Sequence, residues 1–299
     1  MNKQILVIGS SNTDMTIKGD RLPVPGETVT GGNFYMGPGG KGANQAVAAR
    51  RLGGDVTFIC KVGRDIFGDN ALAGYAKEGI DISHVMRSDK ASGTALILVD
   101  NTGENCISVA SGANGDLSPE DIDSVADVIR SAGFLILQLE IPVESVLRAA
   151  KIAHEAGVYV VLNPAPACEL PEELFKYISL MTPNSTETAF MSRREIIDQE
   201  SLAEAVKVLR GYGVNDFVVT LGSKGSLVFE NGHSVHVPSV KVEAVDATAA
   251  GDTFCAAVCV GLSEGMSLVD AARFATKAAA ITVQRIGAQD SIPTRSEVE

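Results

Sequence analysis

After a short polar start the chain runs Ile5-Leu6-Val7-Ile8 and stops at Gly9. Consecutive branched apolar residues bounded by glycine predict a strand buried on both faces, with the polar loop Ser10-Ser11-Asn12 at its C-terminal end. "KGANQAVAARRLGG" sets Ala43, Val47 and Leu52 at helical spacing, with Gly53 as a stop. "VTFICKVG" reads as the next strand and "DNALAGYAKEGI" as a helix. The rhythm differs between Met15 and Tyr35, and again in "GTALILVDNTGENCISVASGAN", where β-rich runs flank the hairpin signal Asn101-Thr102-Gly103-Glu104. These two pieces predict a small sheet separate from the main one.

Beyond Asp116 the alternation becomes regular. "GFLILQLE", "VYVVLNPAP", "YISLMTPN" and "DFVVTLGSKGSLVF" read as strands, with helices at "VESVLRAAKIAHEAG" and "QESLAEAVKVLRGYG". Two more helices, "TFCAAVCVGLSEG" and "LVDAARFATKAAAITVQRIG", lie near the C-terminus. Strands alternating with helices predict an α/β fold, a three-layer sandwich whose mostly parallel central sheet is flanked by helices. The expected organisation is one domain over residues 1–299, with lid strands from about 13–36 and 93–110. Ligands gather at the C-terminal ends of strands in such sheets.

Composition narrows the function. Of 299 residues 45% are hydrophobic, enough for a large core. Twenty-five basic against 37 acidic residues give a net charge of −12, which argues against non-specific binding to nucleic acid or anionic membranes. Cys60, Cys106, Cys168, Cys255 and Cys259 are odd in number, form no C-x-x-C and sit in apolar contexts, so they read as reduced core residues of a cytoplasmic protein. Met1 to Gln4 lead straight into the first strand, which predicts no signal peptide, and no apolar run reaches the roughly 18 residues of a membrane helix. His84, His154, His233 and His236 lack ligand spacing.

The chemistry concentrates in "VDATAAGDTF", Val245 to Phe254. Small residues at a helix start let an anion approach unpaired N–H groups, and a carboxylate beside that seat can take a proton from an attacking hydroxyl. Ala249-Ala250-Gly251 ahead of a helix from Thr253 fits this, with Asp252 as the base. The rival reading makes Asp252 a plain N-cap. "GPGGKGAN" (Gly37 to Asn44) is either a glycine turn approached by a polar ligand or a tight turn opening a helix; it lacks the buried strand a dinucleotide fingerprint needs. That absence, with Gly9 leading into Ser10-Ser11-Asn12, excludes a nicotinamide-dependent dehydrogenase. Asn12 and Asp14 read as sugar-hydroxyl partners or turn residues, and Glu140 ends a strand. Asn184 and Glu187 read as functional or as a capping pair, and Thr220 to Ser226 as a hairpin turn or a nucleotide-phosphate turn.

In order and spacing, "GGKGAN", the N-x-x-E of Asn184 to Glu187, "TLGSKG" and "DATAAGDTF" resemble the ribokinase family of carbohydrate and nucleoside kinases over almost the whole chain. "SSNTD", "LPVPGET", "LNPAPA" and "RIGAQDSIP" strengthen the likeness. The resemblance implies ATP-dependent phosphorylation of D-ribose at its 5-hydroxyl. It implies Asn12, Asp14, Gly40, Lys41, Asn44, Glu140 and Asp252 as sugar-binding residues, and Asp252, Gly251 and Ala250 as base and anion hole, with Lys41 helping to spread the phosphate charge. It implies Asn184, Thr220, Gly222, Ser223, Gly225, Gly251 and Thr276 for ATP, and Glu187 for Mg²⁺ through water. An activating K⁺ is implied near Asp246, Thr248, Thr282, Arg285, Gly287 and Ser291, largely through backbone carbonyls. A homodimer through the lid sheets is expected, since an exposed apolar lid is a sticky edge. Alternatives are a kinase for deoxyribose, fructose, 2-keto-3-deoxygluconate or a nucleoside, or a sugar- or nucleotide-binding regulator without turnover. Many members of the family have Gly where Ala249 stands, and many continue with a short helix beyond "SIPTRSEVE", so a truncated or short terminus is expected. A helix N-terminus is expected to lower the pKa of Asp252.

Overall fold

A computed structural model describes residues 3–299; Met1 and Asn2, at the head of the segment read as carrying no signal peptide, lie outside the described residues. The larger sheet runs, edge to edge, His233–Val237, Ser226–Glu230, Asp216–Thr220, Leu180–Met181, Tyr159–Leu162, Phe134–Leu137, Ile5–Ile8 and Val56–Ile59. Its strands pair in parallel from Val56–Ile59 to Asp216–Thr220, and the last two pairs are antiparallel. The sheet is therefore mostly parallel, as expected. "DFVVTLGSKGSLVF" divides into two antiparallel strands around a tight turn at Gly222–Lys224, and the edge strand His233–Val237 was not anticipated. Its burial pattern, exposed at four of five positions, carries no core signal to read.

Strand alternation splits the core in two. Ile5, Val7, Phe58 and Ile136 face one way, against the helices Lys41–Arg51, Ala250–Ser263 and Leu268–Thr282. Leu6, Ile8, Ile59, Leu135 and Leu137 face the other way, against Val143–Glu155 and Gln199–Gly211. With Ile5–Ile8, Val56–Ile59 and Phe134–Leu137 buried at every position, each Leu or Ile in them contributes about 1.5–3 kcal/mol of burial, which is why these strands read as unbroken apolar runs.

The smaller sheet has the order Asn33–Gly39, Asn12–Lys18, Gly93–Val99, Asn105–Ala110. Its bounds correct the expectation. Residues 19–32 hold no strand, and the second strand runs on to Gly39, directly into the helix at Lys41. That strand is largely exposed, so it is not the buried one a dinucleotide fingerprint follows. "VTFICKVG" also divides, Lys61–Gly63 leaving the main sheet to pair with Met86–Ser88. The helix Ile66–Lys77 begins before the segment read for it, capped by Asp65, which accepts from Gly68 N. Short helices at Pro119–Ser124 and Ala126–Ser131 were not foreseen. Arg295–Val298 forms a final helical turn within the residues read as ending before one.

Cys60, Cys255 and Cys259 are buried as expected, but Cys168 is half-buried and Cys106 lies exposed on the lid; all five are free thiols. Among the described residues no helix is long and apolar enough to cross a membrane.

Candidate active site

The site lies where two helix starts meet the C-terminal end of the main sheet. The first helix begins at Lys41 after Gly40, whose φ of 89° is the left-handed region that favours glycine. A Cβ on Gly40 would stand 2.8 Å from Asn12 N, and one on Gly42 would stand 2.6 Å from the Gly9 carbonyl carbon and Ser10 N. The glycines of "GGKGAN" thus let this helix press against the end of the first strand, and Gly42 serves packing rather than ligand approach. Its free N–H groups are met from afar: Lys41 N donates to Glu140 Oε2 at 2.9 Å, and Gly42 N to Ser10 Oγ at 3.3 Å. Ser10 Oγ itself donates to the same Glu140 oxygen at 2.5 Å. Glu140 is thereby fixed by one oxygen, a role the sequence did not reveal.

The second helix begins at Ala250, not Thr253, and follows Ala249 at φ 61°, a left-handed conformation costing an alanine about 1–2 kcal/mol. Asp252 lies inside the first turn and makes no cap, which removes the N-cap reading. Its carboxylate turns toward the other helix instead. Oδ2 accepts from Asn44 Nδ2 at 2.9 Å and Oδ1 from Gln45 Nε2 at 3.2 Å. A Cβ built on Gly251 would meet nothing within 4 Å, so the backbone beside Asp252 faces open space.

The electrostatics correct one expectation. Burial raises the Asp252 pKa above the usual carboxylate range, against the lowering pull of Lys41, Asn44 and Gln45. Desolvation of a carboxyl that is 6% exposed is the largest cause, with the charge of Glu140 adding to it. Asp14 is pushed up to about 6 by burial and by the charges of Glu140 and Asp252, with Lys41 opposing. Burial works against the Lys41 ammonium, yet Asp252, Glu140, Glu187 and Asp14 together hold its pKa above the usual lysine value. One half-buried cation thus sits among four carboxylates.

Asn12 completes this side. Its Oδ1 accepts from Asn114 Nδ2 at 2.7 Å, and Asn114 Oδ1 accepts from Ser11 N at 2.8 Å. Asn12, Asn114, Glu140, Val109 and Pro166 line a cavity of about 430 Å³ between the smaller and the larger sheet. Asn44 Oδ1 is buried without a hydrogen-bond partner, an acceptor free for a hydroxyl. Asn12, Asp14, Gly40, Lys41, Asn44, Glu140 and Asp252 are therefore all brought together. Ser10, Gln45, Asn114, Gln138 and Asn163 were missed; Gln45 stands next to Asn44 in the motif, the only signal that could have found it.

A second group forms at the neighbouring strand ends. Asn184 caps the helix Ser185–Ser192: its Oδ1 accepts from Glu187 N and Glu187 Oε2 accepts from Asn184 N, each at 2.8 Å. The capping reading of this pair is correct, and it uses only one Glu187 oxygen. Burial raises the Glu187 pKa. Thr220 N donates to Pro183 O at 2.9 Å, which sets Thr220 beside Asn184. Gly222 and Gly225 take φ of 58° and 92° in the hairpin turn that carries Ser223. Thr276, on the helix Leu268–Thr282, is buried with its hydroxyl donating to Ala272 O at 2.8 Å.

Two loops near the second helix are stitched by Asp246. Its Oδ2 accepts from Gly287 N at 2.9 Å, and its Oδ1 from Thr248 N at 2.9 Å and Thr248 Oγ1 at 2.6 Å. Thr282 is buried, with its Oγ1 3.2 Å from Thr253 Oγ1. Ser291 Oγ donates to Ala288 O at 2.7 Å. The Arg285 side chain pairs with Glu297 at 2.5 Å, and a guanidinium offers no acceptor, so only the Arg285 carbonyl could serve a cation.

The chain matches the family described as "pfkB family carbohydrate kinase" over residues 2–295. It is 44% identical over 298 residues to the ribokinase of Haemophilus influenzae, covering 99% of this chain and 97% of that protein. The crystal structure of ribokinase from Thermotoga maritima superposes with a TM-score of 0.90 at 40% identity, covering 99% of this chain and 97% of that one. The structure of Arabidopsis thaliana ribokinase complexed with ribose and ATP superposes with a TM-score of 0.92 at 33% identity, covering 100% and 98%. Fold, site and likeness over the whole length agree, and the chain belongs to the pfkB family of carbohydrate kinases.

Proposed function

We propose that this protein phosphorylates the 5-hydroxyl of D-ribose with ATP, giving D-ribose 5-phosphate and ADP. The observation that carries this reading is the placement of Asp252: a buried carboxylate in the first turn of a helix, beside the open backbone of Gly251 and 2.9 Å from Asn44. Asn12, Asp14, Gly40, Lys41, Asn44 and Glu140 hold the sugar. Asp252 accepts the hydroxyl proton as the oxygen attacks the γ-phosphorus. The Gly251 amide receives the transferring phosphoryl group, joined by the Ala250 amide once it gives up its 3.2 Å bond to Ala247 O, and Lys41 shares its charge. Phosphoryl transfer depends on positioning and charge neutralisation more than on covalent help. The raised pKa of Asp252 makes it a better base than a solvated carboxylate.

ATP is held by Asn184, Thr220, Gly222, Ser223, Gly225 and Gly251, with its base near Thr276. Glu187 fits a water-mediated hold on Mg²⁺: one oxygen of its buried carboxylate is committed to Asn184 N. When bound, Mg²⁺ neutralises charge on the β- and γ-phosphate oxygens. The loops of Asp246, Thr248, Thr282, Arg285, Gly287 and Ser291 fit K⁺ through their oxygens, chiefly backbone carbonyls, since both Asp246 oxygens already accept hydrogen bonds.

The lid supports a homodimer. By strand alternation Phe34, Ile17, Met36 and Leu96 share the face opposite Asp14, and they are 60%, 44%, 53% and 54% exposed. Such a contiguous apolar face is covered when two lids pack together. ATP as co-substrate and five free thiols support a cytoplasmic setting.

A coupled ADP-release assay over pentoses, hexoses and nucleosides, with and without potassium, tests the reading. Turnover with ribose, raised by potassium, is expected. A clear preference for deoxyribose, a hexose or a nucleoside would move the substrate, and turnover with none would favour a binding regulator.

A further inference from the structure

The two oxygens of Asp252 are held differently. Oδ2 accepts from Asn44, which the proposed function assigns to the sugar. Oδ1 accepts from Gln45, which is completely buried and lies out of a substrate's reach. Gln45 is itself held at both ends. Its Oε1 accepts from Gln138 Nε2 at 2.6 Å, and its Nε2 lies 3.1 Å from Asn163 Oδ1. Asn163 Nδ2 donates to Thr182 O at 3.0 Å. The direction of every bond follows from the ends. The Thr182 carbonyl only accepts, so Asn163 presents its oxygen to Gln45. An ionised Asp252 only accepts, so Gln45 gives its Nε2 to both and its Oε1 to Gln138.

This chain is not arranged for stability alone. Gln138 Oε1 is buried without a partner, and it presses on the first strand, where a Cβ on Gly9 would stand 1.9 Å from it. A buried unpaired acceptor is unfavourable, and apolar residues of similar volume at positions 45 and 138 would avoid it. Asn44 Oδ1 is also buried and unpaired, so a sugar hydroxyl donating to it draws Asn44 into substrate binding.

We propose that Gln45 is the positioning residue of Asp252: it pins Oδ1 through the Gln138–Gln45–Asn163 amide chain and leaves Oδ2 as the oxygen that meets the attacking hydroxyl. The inference rests on the reading of Asp252 as the base.

Gln45→Leu keeps the packing volume and removes the donor. Expected is a kcat lower by about 10- to 100-fold with the ribose KM within about 3-fold, as for lost orientation rather than lost binding. Losing a donor to the charged form raises the Asp252 pKa, so the acid limb of kcat moves to higher pH. Gln138→Leu, which does not touch Asp252, shifts both in the same direction by less. A merely structural role would lower thermal stability and leave the limb in place.

The second readout needs no sugar: a ¹³C-carboxyl titration of the ligand-free protein by NMR, with the Asp252 signal assigned by its loss in Asp252→Asn. The Asp252 signal is expected to titrate at higher pH in both variants. Wild-type kcat together with an unmoved titration in Gln45→Leu overturns the proposal, and an unmoved titration in Gln138→Leu does so if Gln45→Leu does not fold. A wild-type protein inactive on every sugar, with the titration still shifted, would overturn the kinase reading and leave the pinning of the carboxylate standing.

Discussion

Asn44 Nδ2 donates to Asp252 Oδ2 at 2.9 Å, joining the first turns of two helices whose residues lie 208 positions apart. Both helices point their positive ends at the same place, and the carboxylate sits between them. On the proposed reading, the sugar-side residues and the phosphate-side backbone therefore meet at one side chain.

Asp252→Asn tests that side chain directly. An amide cannot take the hydroxyl proton, and its NH₂ would confront the donors of Asn44 or Gln45. A kcat at least about 10²-fold lower is expected, in the usual range for a lost general base. Ribose binding by calorimetry should survive within about tenfold, because the other sugar contacts remain. Near-normal turnover would remove Asp252 from the base role.

Gly251→Ala separates the anion seat from the fold. Its Cβ would enter open space, so no clash opposes it, and alanine is the better helix former by about 0.5–1 kcal/mol. The thermal midpoint should hold or rise, while the methyl group blocks the transferring phosphoryl group and turnover falls by about 10²-fold or more. Full activity in a normally folded variant would place the phosphate elsewhere.

Asp14 carries a stability cost that depends on pH. Its carboxyl titrates near 3.8 when unfolded and at about 6 when folded. Between those values the unfolded chain releases the proton first, so rising pH favours unfolding, and the full cost is present above 6. Asp14→Asn should therefore gain about 1–3 kcal/mol at pH 7 and little at pH 4, read by urea denaturation at the two pH values. The same change should weaken ribose binding at least about tenfold, through loss of a charged hydrogen-bond acceptor. A variant no more stable at pH 7 than at pH 4, relative to wild type, would contradict the burial argument.

Leu96→Glu places a charge on the exposed lid face. If two lids cover one another, the buried charge should shift the protein to monomer in size-exclusion chromatography with light scattering, with the far-ultraviolet dichroism unchanged. A wild-type protein that is monomeric at every working concentration would end the lid-dimer reading.

The local pattern was enough for the α/β architecture, because strands buried on both faces must be continuously apolar: Ile5 to Ile8 and Phe134 to Leu137 announce themselves. It also drew attention to Glu140 and Asp252, while Asn44 entered only through the resemblance carried by motif order, which survives without coordinates. The edge strand His233–Val237 stayed hidden because edges need no apolar signal. Tertiary structure alone decided that Asp252 turns from its own helix start toward Asn44 and Gln45, and that burial raises its pKa. It alone decided that Glu140 anchors a helix beginning 99 residues earlier. Hydrogen bonds and desolvation depend on what lies within a few ångströms, and neighbours so distant in the chain leave no trace in local spacing.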